Sequence, residues 1–203
     1  MKVLVGCESS GVVREAFRRL GHDAWSCDLL PADDGSPYHI QGDVLDQLDG
    51  GWDCGLFFPT CTYLCRSGWH WCNAPDSAVL PLKGGPRREA AKNAREFFLR
   101  LYRAPMRYKA LENPRPSPHA KLPPHSQSIQ PWMFGHGETK ETFLWLVNLP
   151  PLMATRMMCG REGRIHKMPR GKNRWKERSR TFPGIGEAMA TQWSAFIASD
   201  SGT

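Results

Sequence analysis

Two short segments of this 203-residue sequence put reactive side chains where a ligand would meet them. Cys61 follows Pro59 and Thr60 directly after an apolar run at 54–58. Glu112 opens a Glu112-Asn113-Pro114 triplet directly after another run at 108–111. A thiol that ionises is a nucleophile, and a carboxyl group near it can hold or release a proton. Three further acids close apolar runs in the same manner: Glu8 after 2–5, Asp28 after 22–27 and Asp43 at the end of 39–43. Taken singly, Cys61 reads as a structural thiol, Glu112 as a helix cap or surface acid, and each Asp as a turn former. Taken together, four acids and one thiol share the ends of successive strands. Cys65 reads as a packing residue.

These positions follow from an alternation of strand and helix signals. Residues 11–20 carry Val12, Val13, Ala16, Phe17 and Leu20 at helical spacing, and Gly21 closes the run. Residues 62–85, rich in Gly, Pro and Trp, read as a long loop. Residues 87–103 give the clearest helix. Ala90, Ala91, Ala94, Phe97, Phe98, Leu101 and Tyr102 form one stripe, with Arg87, Arg88, Lys92, Arg95 and Arg100 largely off it. A Pro-rich loop spans 115–124, a further strand 142–147 and a closing helix 186–197. Strands alternating with helices predict an α/β fold with a mostly parallel, doubly wound sheet, built as one domain over residues 1–203. Ligands of such sheets bind beyond the carboxyl ends of the strands, which is where the acids and Cys61 fall.

The net charge of +7 is local. Residues 161–180 hold nine Lys or Arg against two Glu, so the remaining chain sums to zero. A basic block containing Trp175 predicts contact with phosphates, with a solvated basic loop as the alternative. Seven cysteines at irregular spacing predict reduced thiols rather than a disulfide framework. Cys61, Cys65, His70 and Cys72 lack the paired spacing of a zinc site, so no metal is expected. The N-terminal apolar stretch is too brief for a signal peptide, and no run is long enough to span a membrane. A cytoplasmic protein is expected, in the host cytoplasm if phage-encoded. The sequence leaves the oligomeric state open.

The order of these motifs resembles the cytosine-C5 DNA methyltransferases, in the reduced form of small phage-type members, over nearly the whole chain. The shared order is a small-residue turn after the first strand, acids after the second and third, Pro-x-Cys after the fourth and Glu-Asn after the fifth. FPGIGEAMATQW at 182–193 resembles that family's last motif. The resemblance implies a Rossmann-like fold binding S-adenosylmethionine (SAM) and a base flipped out of DNA, double- or single-stranded. Cys61 would be the nucleophile, Glu112 the carboxyl group at cytosine N3 and Lys140 the site's cation. Cofactor contacts would come from Cys7, Glu8, Ser9, Ser10, Gly11, Asp28, Leu29, Asp43, Val44, Pro59 and Glu187. Among these, the amides after Glu8 would cradle the methionine carboxylate, Glu8 would meet its ammonium, Asp28 the ribose and Asp43 the adenine amine. DNA would meet Arg170, Lys172, Arg174, Lys176, Arg178 and Arg180 of a basic insertion at 149–180, and Trp69 of the Trp-rich loop 62–85.

The sequence departs from that pattern in several places. Thr60 stands where the family has proline, Thr62 where it has glutamine, and serine and glutamate replace most glycines of the first motif. The target-recognition region is short. Two other readings therefore stand beside methylation of DNA. One is a pyrimidine-nucleotide C5-modifying enzyme, and the other a degenerate, non-catalytic module that binds SAM or nucleic acid.

Overall fold

The computed structural model describes residues 1–169, 171 and 174–200, apart from the His166 side chain. Seven strands form one sheet: β1 (Lys2–Gly6), β2 (Asp23–Asp28), β3 (His39–Gln41), β4 (Cys54–Phe57), β5 (Tyr108–Pro114), β6 (Gln127–Ile129) and β7 (Thr142–Val147). Their order is β3-β2-β1-β4-β5-β7-β6. The first five are parallel, and β7 runs antiparallel to both β5 and β6. This is the mostly parallel, doubly wound architecture expected, with a Rossmann-like reversal of strand order at β1 and β4.

Alternation along each strand sorts side chains onto two faces. Val3 and Val5 of β1, Leu56 of β4, Ala110 of β5 and Leu144 of β7 face one way. Against them pack Val13 and Phe17 of α1 (Val12–Arg19) and Ala188, Met189 and Trp193 of α6 (Pro183–Asp200). Leu4, Phe57, Leu111 and Trp145 face the other way, onto Phe98 and Leu101 of α3 (Gly84–Tyr102). Phe98 meets Trp145 edge to face, with ring centroids 5.0 Å apart. Burying each such side chain contributes roughly 1.5–3 kcal/mol, so the two layers fix which strand ends share a rim.

Several elements differ from the sequence expectation. The segment expected as a loop at 62–85 contains α2 (Arg66–Trp69), a 3-10 turn at His70–Asn73 and the start of α3. Pro86 sits in the first turn of α3, where a missing N–H costs nothing. Arg87, expected off the apolar stripe, is buried. The third strand stops at Gln41, and Asp43 caps a 3-10 turn at Val44–Gln47. β6 lacks any apolar pattern of its own and is drawn in by β7. Two short helices, α4 (Arg164–Lys167) and α5 (Arg174–Ser179), precede α6.

Candidate active site

The strand order turns back at β1 and β4, so a crevice opens beyond their carboxyl ends. Gly6 ends β1 beneath it. A Cβ there would lie 2.5 Å from Val44 and 2.6 Å from Phe57, so only glycine lets both pack onto this strand end. Cys7 follows in a left-handed conformation (φ +61°), its amide donating to Cys27 O at 2.7 Å. Burial, with Asp28 and Asp43 nearby, pushes the Cys7 thiol up. Those two acids therefore flank the end of β1, as the sequence predicted. Asp28 Oδ1 accepts from the Leu30 amide at 2.9 Å and Asp43 Oδ1 from the Leu45 amide at 2.9 Å. The other oxygen of each accepts no hydrogen bond among the described residues. Beside them, Val44 is buried and Leu29 is 73% exposed. Pro59, at the end of the neighbouring strand, is buried.

The turn between β1 and α1 is organised differently from the expectation. Glu8 is buried and spends its carboxylate on α1 itself: Oε1 accepts from Val13 N at 2.8 Å and Ser10 Oγ at 3.1 Å, Oε2 from Arg14 N at 3.4 Å. Ser10 Oγ also receives the Val12 amide at 3.4 Å. Glu8 and Ser10 thus satisfy the amides of Val12, Val13 and Arg14 at the N-terminus of α1. Ser9 holds the next loop through its carbonyl, which accepts from Asp33 N at 2.9 Å. Gly11 (φ +70°) leaves room for Arg14 and Asp34, which pair across it. Glu187 is exposed and pairs with Arg19 at 3.5 Å rather than with any rim residue. Asp28, Asp43, Leu29 and Val44 thus gather at one end of the crevice, while the Glu8 carboxyl group is taken up by α1.

On the far side of β4, the chain turns sharply through Cys61, whose carbonyl accepts the amides of Leu64 and Cys65 at 3.1 and 3.0 Å. Two backbone bonds stitch this loop to the chain beyond β5: Arg66 N to Arg115 O (3.0 Å) and Ser117 N to Leu64 O (2.8 Å). That stitching draws Cys61 towards Glu112. Buried Arg87 of α3 completes the anchorage by donating to Thr62 O at 2.8 Å and Leu82 O at 3.4 Å.

A recess of about 300 Å³, counting the solvent at its mouth, opens beside these groups. Glu112, Lys140, Thr142, Ser179 and Thr181 supply its polar lining, and Phe58, Phe182, Ile185 and Met189 its apolar lining. Burial raises the Glu112 carboxyl above its ordinary value, partly offset by the Lys140 ammonium and the Thr142 hydroxyl. Glu112 therefore keeps its proton further towards neutrality than a solvated glutamate. The Cys61 thiol is pushed up by Cys65, by burial and by Glu112, and is drawn down by Lys140. Cys65 is lowered to about 5, chiefly by Cys61, with the Ser67 hydroxyl (3.3 Å) and the Gly68 amide also helping. Negative charge in this pair rests on the less buried Cys65, and Cys61 is the protonated partner. Among the described residues, no three His, Cys, Asp or Glu gather as a metal site.

The residues expected at DNA are arranged less simply. Arg170 and Lys172 lie outside the described residues. Lys176 and Arg180 both reach back to Asp33, at 2.7 and 3.3 Å, and the Asp33 side chain is only 12% exposed. Arg174 donates to Met168 O at 2.8 Å, while Arg178 is partly buried. Trp69, expected to stack on bases, instead stacks on His119 (5.7 Å between centroids) and packs against the α3 face of the core. Sequence reasoning missed Thr142, Phe58, Phe182 and Arg87. Of these, Phe182 and Thr142 adjoin segments already singled out, whereas nothing local marks Arg87 as buried. No helix of the described residues is long and apolar enough to cross a membrane.

No family model matches this chain, and no curated protein matches it. Among solved structures, it is similar to a protein described as a candidate DNA modification methyltransferase encoded within a prophage of E. coli. The identity is 11% and the TM-score 0.47, over 78% of this chain and 52% of the other. The chain thus spans about half the length of that structure.

Proposed function

We propose that this chain transfers a methyl group from SAM to C5 of a cytosine in DNA, through a covalent adduct at Cys61. The observation that carries the reading is the recess, where the Glu112 carboxyl group, the Lys140 ammonium and the Thr142 hydroxyl share a lining with Phe58 and Phe182, and where Glu112 and Lys140 act electrostatically on Cys61. A lining of aromatic rings beside hydrogen-bonding groups suits a heteroaromatic ring, and burial, which raises Glu112, favours the form that can donate to ring N3. Cys61 gives its proton to the neighbouring Cys65 thiolate and adds to C6, which makes C5 electron-rich. Lys140 offsets negative charge as the bond forms. SAM would supply the electrophilic methyl group, and its adenosine end would be held by Asp28 at the ribose hydroxyls and Asp43 at the adenine amine, with Cys7, Leu29, Val44 and Pro59 around it. Water at the mouth of the recess then takes the C5 proton, Cys61 leaves C6 as a thiolate and recovers its proton from Cys65, and N3 returns its proton to Glu112.

Trapping tests the reading. A duplex library carrying 5-fluorocytosine at every cytosine has no C5 proton to lose, so the adduct persists. With SAM, the expected result is a covalent complex by intact mass, mapped to Cys61 and absent in Cys61→Ser. An adduct with 5-fluoro-dCMP but not with DNA would instead identify a nucleotide-modifying enzyme. No adduct with either, in protein that binds SAM, would mark a non-catalytic module.

A further inference from the structure

Helix α6 opens on Pro183, which has no amide proton, so Gly184 carries the first amide of the helix that needs a partner outside it. A side chain supplies that partner: Gly184 N donates to His136 Nε2 at 3.0 Å. A ring nitrogen that accepts carries no proton, so His136 is neutral here, with its proton on Nδ1. The seat is close. A Cβ at Gly184 would overlap Phe134 O and lie 3.0 Å from His136 Nε2, so no larger residue lets the helix approach this loop. The loop is itself held by backbone bonds, His136 N to Pro131 O at 3.2 Å and Gly135 N to Arg156 O at 2.8 Å. Phe182, whose carbonyl accepts the Ile185 and Gly186 amides, lies against the imidazole with ring centroids 5.1 Å apart. Phe182, Ile185 and Met189 then form one apolar wall of the recess beside Glu112 and Lys140.

Resting on the function proposed above, we infer that His136 is a positioning residue: as a neutral imidazole it seats the first turn of α6 and so sets the Phe182 wall against which the target base lies. It touches no reacting atom. Protonation makes both ring nitrogens donors, so Nε2 and the Gly184 amide then face each other as two donors and the wall loosens. Burial lowers the half-buried imidazole below its ordinary 6.5, and Glu187, three residues along α6 from Gly184, opposes that shift. Two cations stand on the other sides: Lys140, whose ammonium lies 6.0 Å from the Phe182 ring centroid, and Arg156, whose carbonyl holds Gly135. A lowered value on a base keeps the neutral form in the folded protein. The seat is therefore complete above pH 6.5 and is lost as pH falls through the lowered value.

The test compares His136→Gln, whose amide oxygen can accept from Gly184 and does not titrate, with His136→Ala, which has no acceptor. Adduct formation on a 5-fluorocytosine duplex with SAM is timed for each protein from about pH 5 to about pH 8. The ratio of His136→Gln to wild-type rates cancels the titrations of Glu112, Cys61 and Cys65, which both proteins share. That ratio should stay within about twofold of one at the upper end and rise to about two- to tenfold at the lower end, the range set by one hydrogen bond. His136→Ala should be slower than both at the upper end by a similar factor. Protection of the Gly184 amide against exchange should fall with pH in the wild type and stay level in His136→Gln. A ratio that is flat with pH would overturn the assignment, as would His136→Ala as fast as wild type. His136→Gln as slow as His136→Ala at every pH would also overturn it, since the imidazole would then act through the fold and not through its acceptor. If wild-type protein forms no adduct at any pH, the underlying function fails, and Gly184 protection alone then decides whether His136 seats α6.

Discussion

Cys61 and Cys65 share one turn of chain, and the proton they hold belongs to the pair rather than to either sulfur. The deeper sulfur keeps it, because burial and Glu112 disfavour charge there, whereas Ser67 and Gly68 support charge on Cys65. Iodoacetamide reacts with thiolates and reads this division directly. At pH 6.5, Cys65 should be labelled about tenfold faster than Cys61, as followed by peptide mass spectrometry. Because the Cys65 value is lowered to about 5, its labelling rate should stay level above pH 6 and fall as pH drops through 5. In Cys65→Ser the neighbour that held Cys61 protonated is gone, so Cys61 labelling should speed up. Faster labelling of Cys61 in the wild type, or slower labelling in the variant, would contradict this arrangement. The sequence marked Cys61 as the residue to watch, because a thiol after a strand and a proline is conspicuous. It gave Cys65 only a packing role, since a hydrogen-bond donor two or three residues away has no signature in residue type.

At the scale of elements, Arg87 shows how a helix position can decide the shape of a distant loop. It belongs to the first full turn of α3, yet its guanidinium reaches the carbonyls of Thr62 and Leu82. Arg87→Met keeps much of the side-chain volume and strands those carbonyls, so unfolding by urea should show a loss of about 1–3 kcal/mol. Amide exchange in the Cys61 loop should rise by more than exchange in β1 or β4. A uniform rise across the sheet would mean that Arg87 supports the core and not the loop. The helix was legible from its apolar stripe, but an arginine off that stripe reads as solvent-facing, and only the incoming loop makes it otherwise. Strands β1, β2, β4, β5 and β7 were legible for the same reason, an apolar run at a fixed spacing. The antiparallel sense of β7 was not, because direction leaves no mark on a period of two. β6, three residues with only Ile129 buried, had too little pattern to register. Glu8 stood at a legible strand end, but its bonds to α1 were not legible, since a carboxyl group five residues before the amides it meets has no local signature.

Across the whole molecule, the basic segment and the loop that follows β2 meet at Asp33. This carboxylate already neutralises Lys176 and Arg180, so two of the cations expected at phosphates are partly occupied before DNA arrives. Asp33→Asn should free both. Each freed contact adds about 0.9 to the negative slope of log K against log salt, so the slope should steepen by about 1–2 units. Fluorescence anisotropy of labelled duplexes across a salt series measures it, and an unchanged slope would show that neither cation meets phosphate. Asp33 is also tied by its amide to Ser9, in the turn that leads from β1 into α1. A polyanion that draws Lys176 and Arg180 away would therefore return an unpaired negative charge to the edge of the proposed adenosine site. Free energies of binding are reciprocal: the factor by which DNA alters the hold on SAM must equal the factor by which SAM alters the hold on DNA. On the proposed function, a shared carboxylate at the junction should make that factor differ from one in wild-type protein and collapse towards one in Asp33→Asn, so that the two ligands would keep account of each other through a single side chain.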